Sequence, residues 1–315
     1  MTSLRNKIKN LIFFLFGNKF SSNYRIARLR KSGNIIILNL HRVSVNDGSG
    51  YKPLDPHLFE ELLKFLKYNF EVVTFASIKD VTIKPKLILS FDDGFKDFID
   101  VACPLLYKYD IRVNHNVIPE CIETGLPPLN IMAQDFVGKA PKELIKRLEI
   151  PGFQNLSGDN LAYRLSSFIK NNTFDKHQNI RKILIPQFFS WDEFTTTSMM
   201  SRSDILQIRE IHEIGGHSYS HATMQYEDEE FFINDLNRCK KYFKELLGHP
   251  MKIYAFPNGS HTENQIEIAI SGGVEHVLLL GSNFDNGISP HYRFNFDAQN
   301  LNQIRFNATG GLKNI

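Results

Sequence analysis

Cysteine is scarce in this chain: Cys103, Cys121 and Cys239 are scattered through 315 residues, odd in number and without a CxxC spacing. That pattern excludes a zinc knuckle and a disulfide framework, and it favours a reducing compartment. There is no low-complexity tract and no internal sequence repeat, so solenoid and fibrous architectures drop out. Positive charge is in excess by only +3, too little to imply a nucleic-acid partner. Residues 10–16 are apolar but too few to cross a bilayer, which needs about 20. What remains is an ordinary globular composition, 42% hydrophobic, at a length that fits one large α/β domain or two small ones.

Residues 1–33 lack acidic side chains altogether, yet carry Arg5, Lys7, Lys9, Lys19, Arg25, Arg28, Arg30 and Lys31. Leu4, Ile8, Leu11, Ile12 and Leu15 recur among them at helical spacing, and Phe13, Phe14 and Phe16 widen the apolar face. A basic amphipathic segment of this kind either lies on an anionic membrane through residues 4–20 or packs on the protein's own surface. A signal peptide would want small residues at its cleavage site, and Gly17-Asn18-Lys19-Phe20 is a poor one. A cytoplasmic location, at or near a membrane, is therefore expected, with a signal anchor as the lesser alternative. The division is a segment at 1–33 and a single folded domain at 34–315.

Beyond residue 34 apolar strands alternate with helical patterns. Ile35–Leu40, Glu71–Thr74, Leu87–Phe91, Ile111–Val113, Glu213–Gly216, Met251–Phe256 and Val277–Leu280 read as strands. Helices are expected around Phe59–Leu66, across Phe98–Leu106 with Pro104 at a kink or end, at Ile205–Ile211, over Phe232–Leu246 up to Gly248, and at 263–271. Residues 119–200, rich in proline, break the alternation and read as an insertion folded over one end of the domain. Repeated strand–helix units imply a parallel α/β sheet or barrel. In such folds chemistry gathers at the carboxyl ends of strands, and His41, Asp92-Asp93, His217–His221 and Pro257-Asn258-Gly259 all fall just past a predicted strand.

Asp92 and Asp93 end an apolar strand side by side, which costs repulsion unless a cation or a chemical task accompanies them. Gly215-Gly216-His217-Ser218-Tyr219-Ser220-His221 supplies two imidazoles four positions apart. One carboxylate with two histidines forms a metal triad with open coordination positions, the arrangement of a hydrolytic centre. The second carboxylate is then available as a general base.

Ser90-Phe91-Asp92-Asp93-Gly94 resembles the TFDDG motif of the polysaccharide deacetylases, the NodB-like carbohydrate esterases. His217-Ser218-Tyr219-Ser220-His221 is similar to their H-[S/T]-x-x-H motif, and Ala255-Phe256-Pro257-Asn258-Gly259 to their third motif. The resemblance implies a distorted (β/α) barrel of about seven strands with an insertion around 119–200. It implies Asp92 as general base, and Asp93, His217 and His221 as ligands of one divalent metal. Zinc suits that set, with cobalt, nickel or iron as alternatives. Leu38–Val43 resembles the Y-H-R-V start of a circularly permuted branch that includes biofilm poly-N-acetylglucosamine deacetylases, and this gives the general-acid role to His41. The chain departs from the family at two places. Ala255 stands near the position of an arginine that braces the base, for which Arg293 is a candidate substitute. Asn258 replaces a tyrosine after Pro257, leaving its backbone N–H to line an oxyanion hole.

The implied activity is metal-dependent removal of N-acetyl groups from an amino-sugar glycan or glycan precursor in surface polysaccharide metabolism. Hydrolysis of a cyclic amide on the same fold, or sugar binding by a degenerate site, are the competing readings. Asp135, Trp191 and Asp192 are candidates for sugar contact or for structural roles. His115, His177, His212, His249, His261 and His276 are expected to be structural or exposed.

Overall fold

The computed structural model describes residues 11–150 and 161–314. Seven parallel strands close on themselves: β1 (Ile36–Leu40), β3 (Lys86–Phe91), β4 (Asn114–Val117), β5 (Glu213–Gly216), β6 (Ile253–Ala255), β7 (His276–Leu280) and β8 (His291–Asn295), which returns to β1. The expected strand at 71–74 shortens to β2 (Glu71–Val72) and pairs only with Lys86 and Leu87, outside the ring. A (β/α)7-type barrel is the result.

Alternation along the strands explains what holds it together. In β1 and β3, Ile36, Leu38, Leu40, Leu87, Leu89 and Phe91 pack outward into the large core shared with the helices. Ile37, Ile88, Ile253, Ala255 and Leu278 form a second cluster, which fills the barrel interior near the strand starts. Above that apolar plug the inward positions turn polar, with Asn39, Ser90, Asn114, Asn116 and Arg293 all buried. A barrel of this size is a packed core rather than a pore, so such a polar layer persists only if its members satisfy one another.

Two expectations are corrected. The strand expected at Ile111–Val113 lies at Asn114–Val117, because Asn114 and Asn116 point into the polar interior and hydrogen-bond there. No strand was expected at His291–Asn295, since its buried positions carry His291 and Arg293 rather than apolar side chains. The helix expected over 98–106 is a π-helical turn (Phe98–Ala102) running into α3 (Cys103–Lys108). Pro104 sits in the first turn of α3, and the wider turn before it absorbs the missing donor.

Residues 119–200 form a helical cap: α4 (Pro119–Thr124), α5 (Leu129–Lys139), α6 (Lys142–Lys146), α7 (Leu161–Lys170) and α8 (Phe174–Phe188). The cap has a core of its own around Phe136, Leu165, Leu184, Phe188 and Phe194, with Trp191 packed on its edge. Asp135 is fully buried and accepts from the Thr197 N–H and hydroxyl. Asp135 and Trp191 thus build the cap, and neither they nor the exposed Asp192 lines the cleft beneath it. Outside the cap and barrel, α1 (Lys19–Ser32) packs on α12 (Leu301–Asn307) through Arg25, whose Nε donates to the Thr309 hydroxyl at 2.7 Å.

Candidate metal centre

The two motifs predicted to meet do meet. Asp93 Oδ1 lies 3.4 Å from His217 Nε2 and 3.5 Å from His221 Nε2. One ligand atom from each of these residues falls within 4.8 Å of the others, and all three residues are buried. Asp93 Oδ1 has no hydrogen-bond partner. A buried carboxylate oxygen without one is costly, so the geometry fits a cation between the three. The histidine tautomer agrees: His217 Nδ1 lies 2.9 Å from the Ala255 carbonyl, a contact that needs the proton on Nδ1 and leaves Nε2 with its lone pair free. Burial, helped by the neighbouring His217, holds the His221 imidazole well below its ordinary pKa and therefore neutral, as a ligand must be.

Local backbone shape puts these groups in place. Asp93, Ser218, His221 and Asn258 have positive φ of 78°, 62°, 58° and 58°, so three residues lining the cleft and the buried Ser218 between the two histidines occupy the left-handed region that side chains disfavour. Gly215 and Gly216 let β5 approach its neighbours: a Cβ at Gly215 would lie 2.3 Å from Asn116 Oδ1, and one at Gly216 2.5 Å from Met251 Sδ. From α10 (Glu229–Leu247), buried Asp235 accepts from the Tyr219 and Ser220 N–H groups and the Ser220 hydroxyl, pinning the loop between the two histidines. Sequence reading did not single out Asp235. The signal available was an acid on the otherwise apolar face of an amphipathic helix.

Asp92 faces a different environment. Arg293 Nη1 donates to Asp92 Oδ1 at 2.7 Å, and also to Asn39 and Ser90. Asn116 Nδ2 donates to the same carboxylate at 2.8 Å. Burial would raise the Asp92 pKa, but the Arg293 charge, with His217 and the Arg293 hydrogen bond, outweighs it and holds the group well below the usual carboxylate range. Asp92 is thus an ionised carboxylate with one oxygen fixed. Its other oxygen, Oδ2, is 3.9 Å from His217 Nε2. Arg293, from β8, thus makes the contact to Asp92 that the methyl side chain of Ala255 cannot.

His41 ends β1 at the cleft, edge-on to Tyr51 with ring centroids 5.8 Å apart. Its neighbour Arg42 is locked by Asp97 and Asp47, each at 2.8 Å. Burial lowers the His41 pKa while Asp93 and Asp92 raise it, and burial prevails. Pro257-Asn258-Gly259 forms a tight turn. Gly259 donates to Phe256 and Ser260 to Pro257, so the turn's own bonds leave the Asn258 N–H unused.

The cleft over these residues has a volume of about 540 Å³. The cap closes one side of it with Asn130, Gln134, Tyr163, Ser166 and Lys170. None of these was foreseen, because their positions depend on how the insertion folds back. Burial lowers the Lys170 pKa and Asp93 raises it, which puts that ammonium within electrostatic reach of the triad. Of the expected structural histidines, His115 is wedged between Phe91 and Phe98, and His276 pairs with His291 at the strand starts, 3.0 Å apart. His177 departs from that expectation only in its place, on the cap beside the cleft.

Residues 188–277 match the family model described as polysaccharide deacetylase. That stretch contains His217, His221 and Pro257–Gly259 but stops short of Asp92 and Asp93, which the insertion separates from it. No curated protein sequence matches the chain significantly. Among solved structures, the deacetylase PplD of Streptococcus pyogenes is 16% identical, with a TM-score of 0.55 over 84% of this chain and 92% of its own. IcaB from Ammonifex degensii is 16% identical, with a TM-score of 0.56 over 88% and 97%. A polysaccharide deacetylase from Bacillus cereus is 13% identical, with a TM-score of 0.57 over 87% and 69%. At such identities the likeness speaks for the fold. The family match over residues 188–277, with the motifs at Asp92-Asp93 and His217–His221, makes the chain similar to the polysaccharide deacetylases in these segments.

Proposed function

We propose that the protein is a metal-dependent N-deacetylase acting on an amino-sugar glycan or glycan precursor of surface polysaccharide metabolism. One observation carries the reading: a buried carboxylate oxygen with no hydrogen-bond partner faces two imidazole Nε2 atoms at 3.4 and 3.5 Å. Asp93, His217 and His221 would hold one divalent cation, most simply zinc, which supplies Lewis acidity toward the acetyl carbonyl and toward water.

The chain's own groups do the rest. Asp92, kept ionised by Arg293, removes a proton from the attacking water. The Asn258 N–H is placed to donate to the oxyanion, a contribution of roughly 3–4 kcal/mol where such a donor has been removed elsewhere. His41 passes a proton to the leaving amine. Because burial disfavours the charged His41 imidazole at rest, that proton reaches it during turnover, and the one Asp92 has taken from water balances the step.

The test is metal analysis of the purified protein together with two assays, acetate release from N-acetylglucosamine oligosaccharides and ring opening of a cyclic amide such as allantoin. Acetate from the oligosaccharides, lost on chelation and restored by zinc, is the expected result. Turnover of the cyclic amide alone, or metal-free protein that binds sugar without cleaving it, would reject the reading. His41→Gln is expected to slow amide hydrolysis by about 10²–10⁴-fold but to spare an aryl acetate, whose phenolate leaves without protonation. Equal losses on both substrates would remove His41 from the acid role. Lys170→Met is expected to lower kcat/KM on the oligosaccharides about tenfold, mainly through KM, as loss of one charge-assisted contact does. Unchanged kinetics would mean that Lys170 only caps its helix.

A further inference from the structure

The residues between the start of the described chain and β1 present an apolar surface that no part of the barrel covers. Residues 11–16 are helical, and α1 follows after Gly17 and Asn18. One side of this hairpin is spent on the domain. Phe13 packs edge-on against Phe306 at 5.4 Å, and Arg25 and Leu29 are buried. Gly17 presses so closely on α12 that a Cβ there would lie 2.3 Å from the Asn302 carbonyl oxygen. The hairpin is thereby fixed in one orientation.

Its other side is unusual for a soluble surface. Leu11, Phe14, Leu15, Phe20 and Tyr24 are all exposed, Phe14 to 69% and Phe20 to 85%. Five large apolar side chains exposed within fourteen residues is a local concentration, unlike the single scattered exposures usual on soluble proteins. On the same outward surface Lys19, Arg28, Arg30 and Lys31 are exposed, and the first 33 residues contain no carboxylate to neutralise them. An apolar segment whose only charged neighbours in the first 33 residues are cations complements a layer of anionic headgroups over acyl chains. A protein partner of ordinary composition would supply some acid and leave no reason for the complete absence of counter-charge.

We infer that this hairpin seats on an anionic lipid surface, with Phe14, Leu15 and Phe20 entering the headgroup region. The hairpin turn contacts α12 at Asn302, in the first turn after the strand whose last residue, Asn295, lines the catalytic cleft. Docking there holds the cleft end of the barrel close to the membrane, where a lipid-linked sugar would be presented. The lipid contact itself uses nothing of the metal site and stands independently of the deacetylase reading.

Flotation of the full-length protein with vesicles tests it, using phosphatidylcholine alone and phosphatidylcholine mixed with phosphatidylglycerol. Binding is expected to the anionic vesicles only, and to weaken with salt. The double variant Phe14→Ser with Phe20→Ser, and separately Arg28→Glu with Lys31→Glu, are each expected to reduce the bound fraction at least roughly tenfold with unchanged thermal unfolding, since all four side chains are exposed. The inference is overturned if the parent protein stays unbound with both vesicle types, or if the variants bind as well as the parent. A dimer in light scattering that the Phe14→Ser, Phe20→Ser variant dissolves, without vesicle binding, would assign the face to a second copy instead and overturn it too.

Discussion

Asp92→Asn is expected to keep its bound metal and to lose turnover by about 10²–10⁴-fold, the usual contribution of a positioned general base. The two neighbouring acids make the prediction sharp, because they meet different partners from adjacent backbone positions. Asp93 Oδ1 faces the imidazoles, whereas Asp92 Oδ1 is taken by Arg293 and Asn116. An amide at position 92 retains the carbonyl acceptor for Arg293 and cannot accept a proton from water. Asp93→Asn is expected to do the reverse, losing metal and activity together. Metal stoichiometry measured beside acetate release separates the pair, and an active Asp92→Asn enzyme would end the assignment of the base.

Arg293→Met is the second large effect, and it acts on both stability and chemistry. Arg293 and Asp92 are buried to within 2%, and removing one partner of a buried ion pair typically costs about 3–5 kcal/mol, because the other charge is left uncompensated. The sign of the pH dependence follows from the depressed Asp92 pKa. In the parent the pair's contribution is fully present above the unfolded carboxylate pKa of about 3.9. It is lost as the pH falls from there through the lower folded value. In the variant burial acts on Asp92 unopposed by that cation and raises its pKa. The base is then protonated over part of the acidic range, so the acid limb of kcat/KM moves up and the lost stability is most evident near neutral pH. Denaturant titrations and pH–rate profiles on the two proteins read both. A variant with parental stability and an unmoved acid limb would show that Arg293 does not brace the base.

The motifs made the metal triad readable in advance because its chemistry is written in short local patterns: two acids after an apolar strand, two histidines four positions apart after a double glycine. What surrounds the triad was far less readable. Asn114, Asn116 and Arg293 lie on strands but face a polar layer, so the apolar signal that marks a strand is inverted where function begins. That inversion moved one expected strand by three residues and concealed another. Arg293 could be guessed as a brace but not located, since it reaches Asp92 across 201 positions of chain. The cap residues, Lys170 and Tyr163 among them, depend on tertiary folding of the insertion and carry no local signature. Conversely, helices bounded by clear signals, such as Glu229–Leu247 ending at Gly248, fell where periodicity put them.

The backbone at the cleft has a consequence for anyone selecting hardier versions of this protein. Asp93, Ser218, His221 and Asn258 each hold a positive φ at a cost of order 1–3 kcal/mol for a side chain in that region. Glycine would relieve the strain at every one of them. A library sorted for heat tolerance alone is therefore drawn toward glycine at positions 93 and 221, and its best survivors would be well-folded barrels that no longer hold a cation.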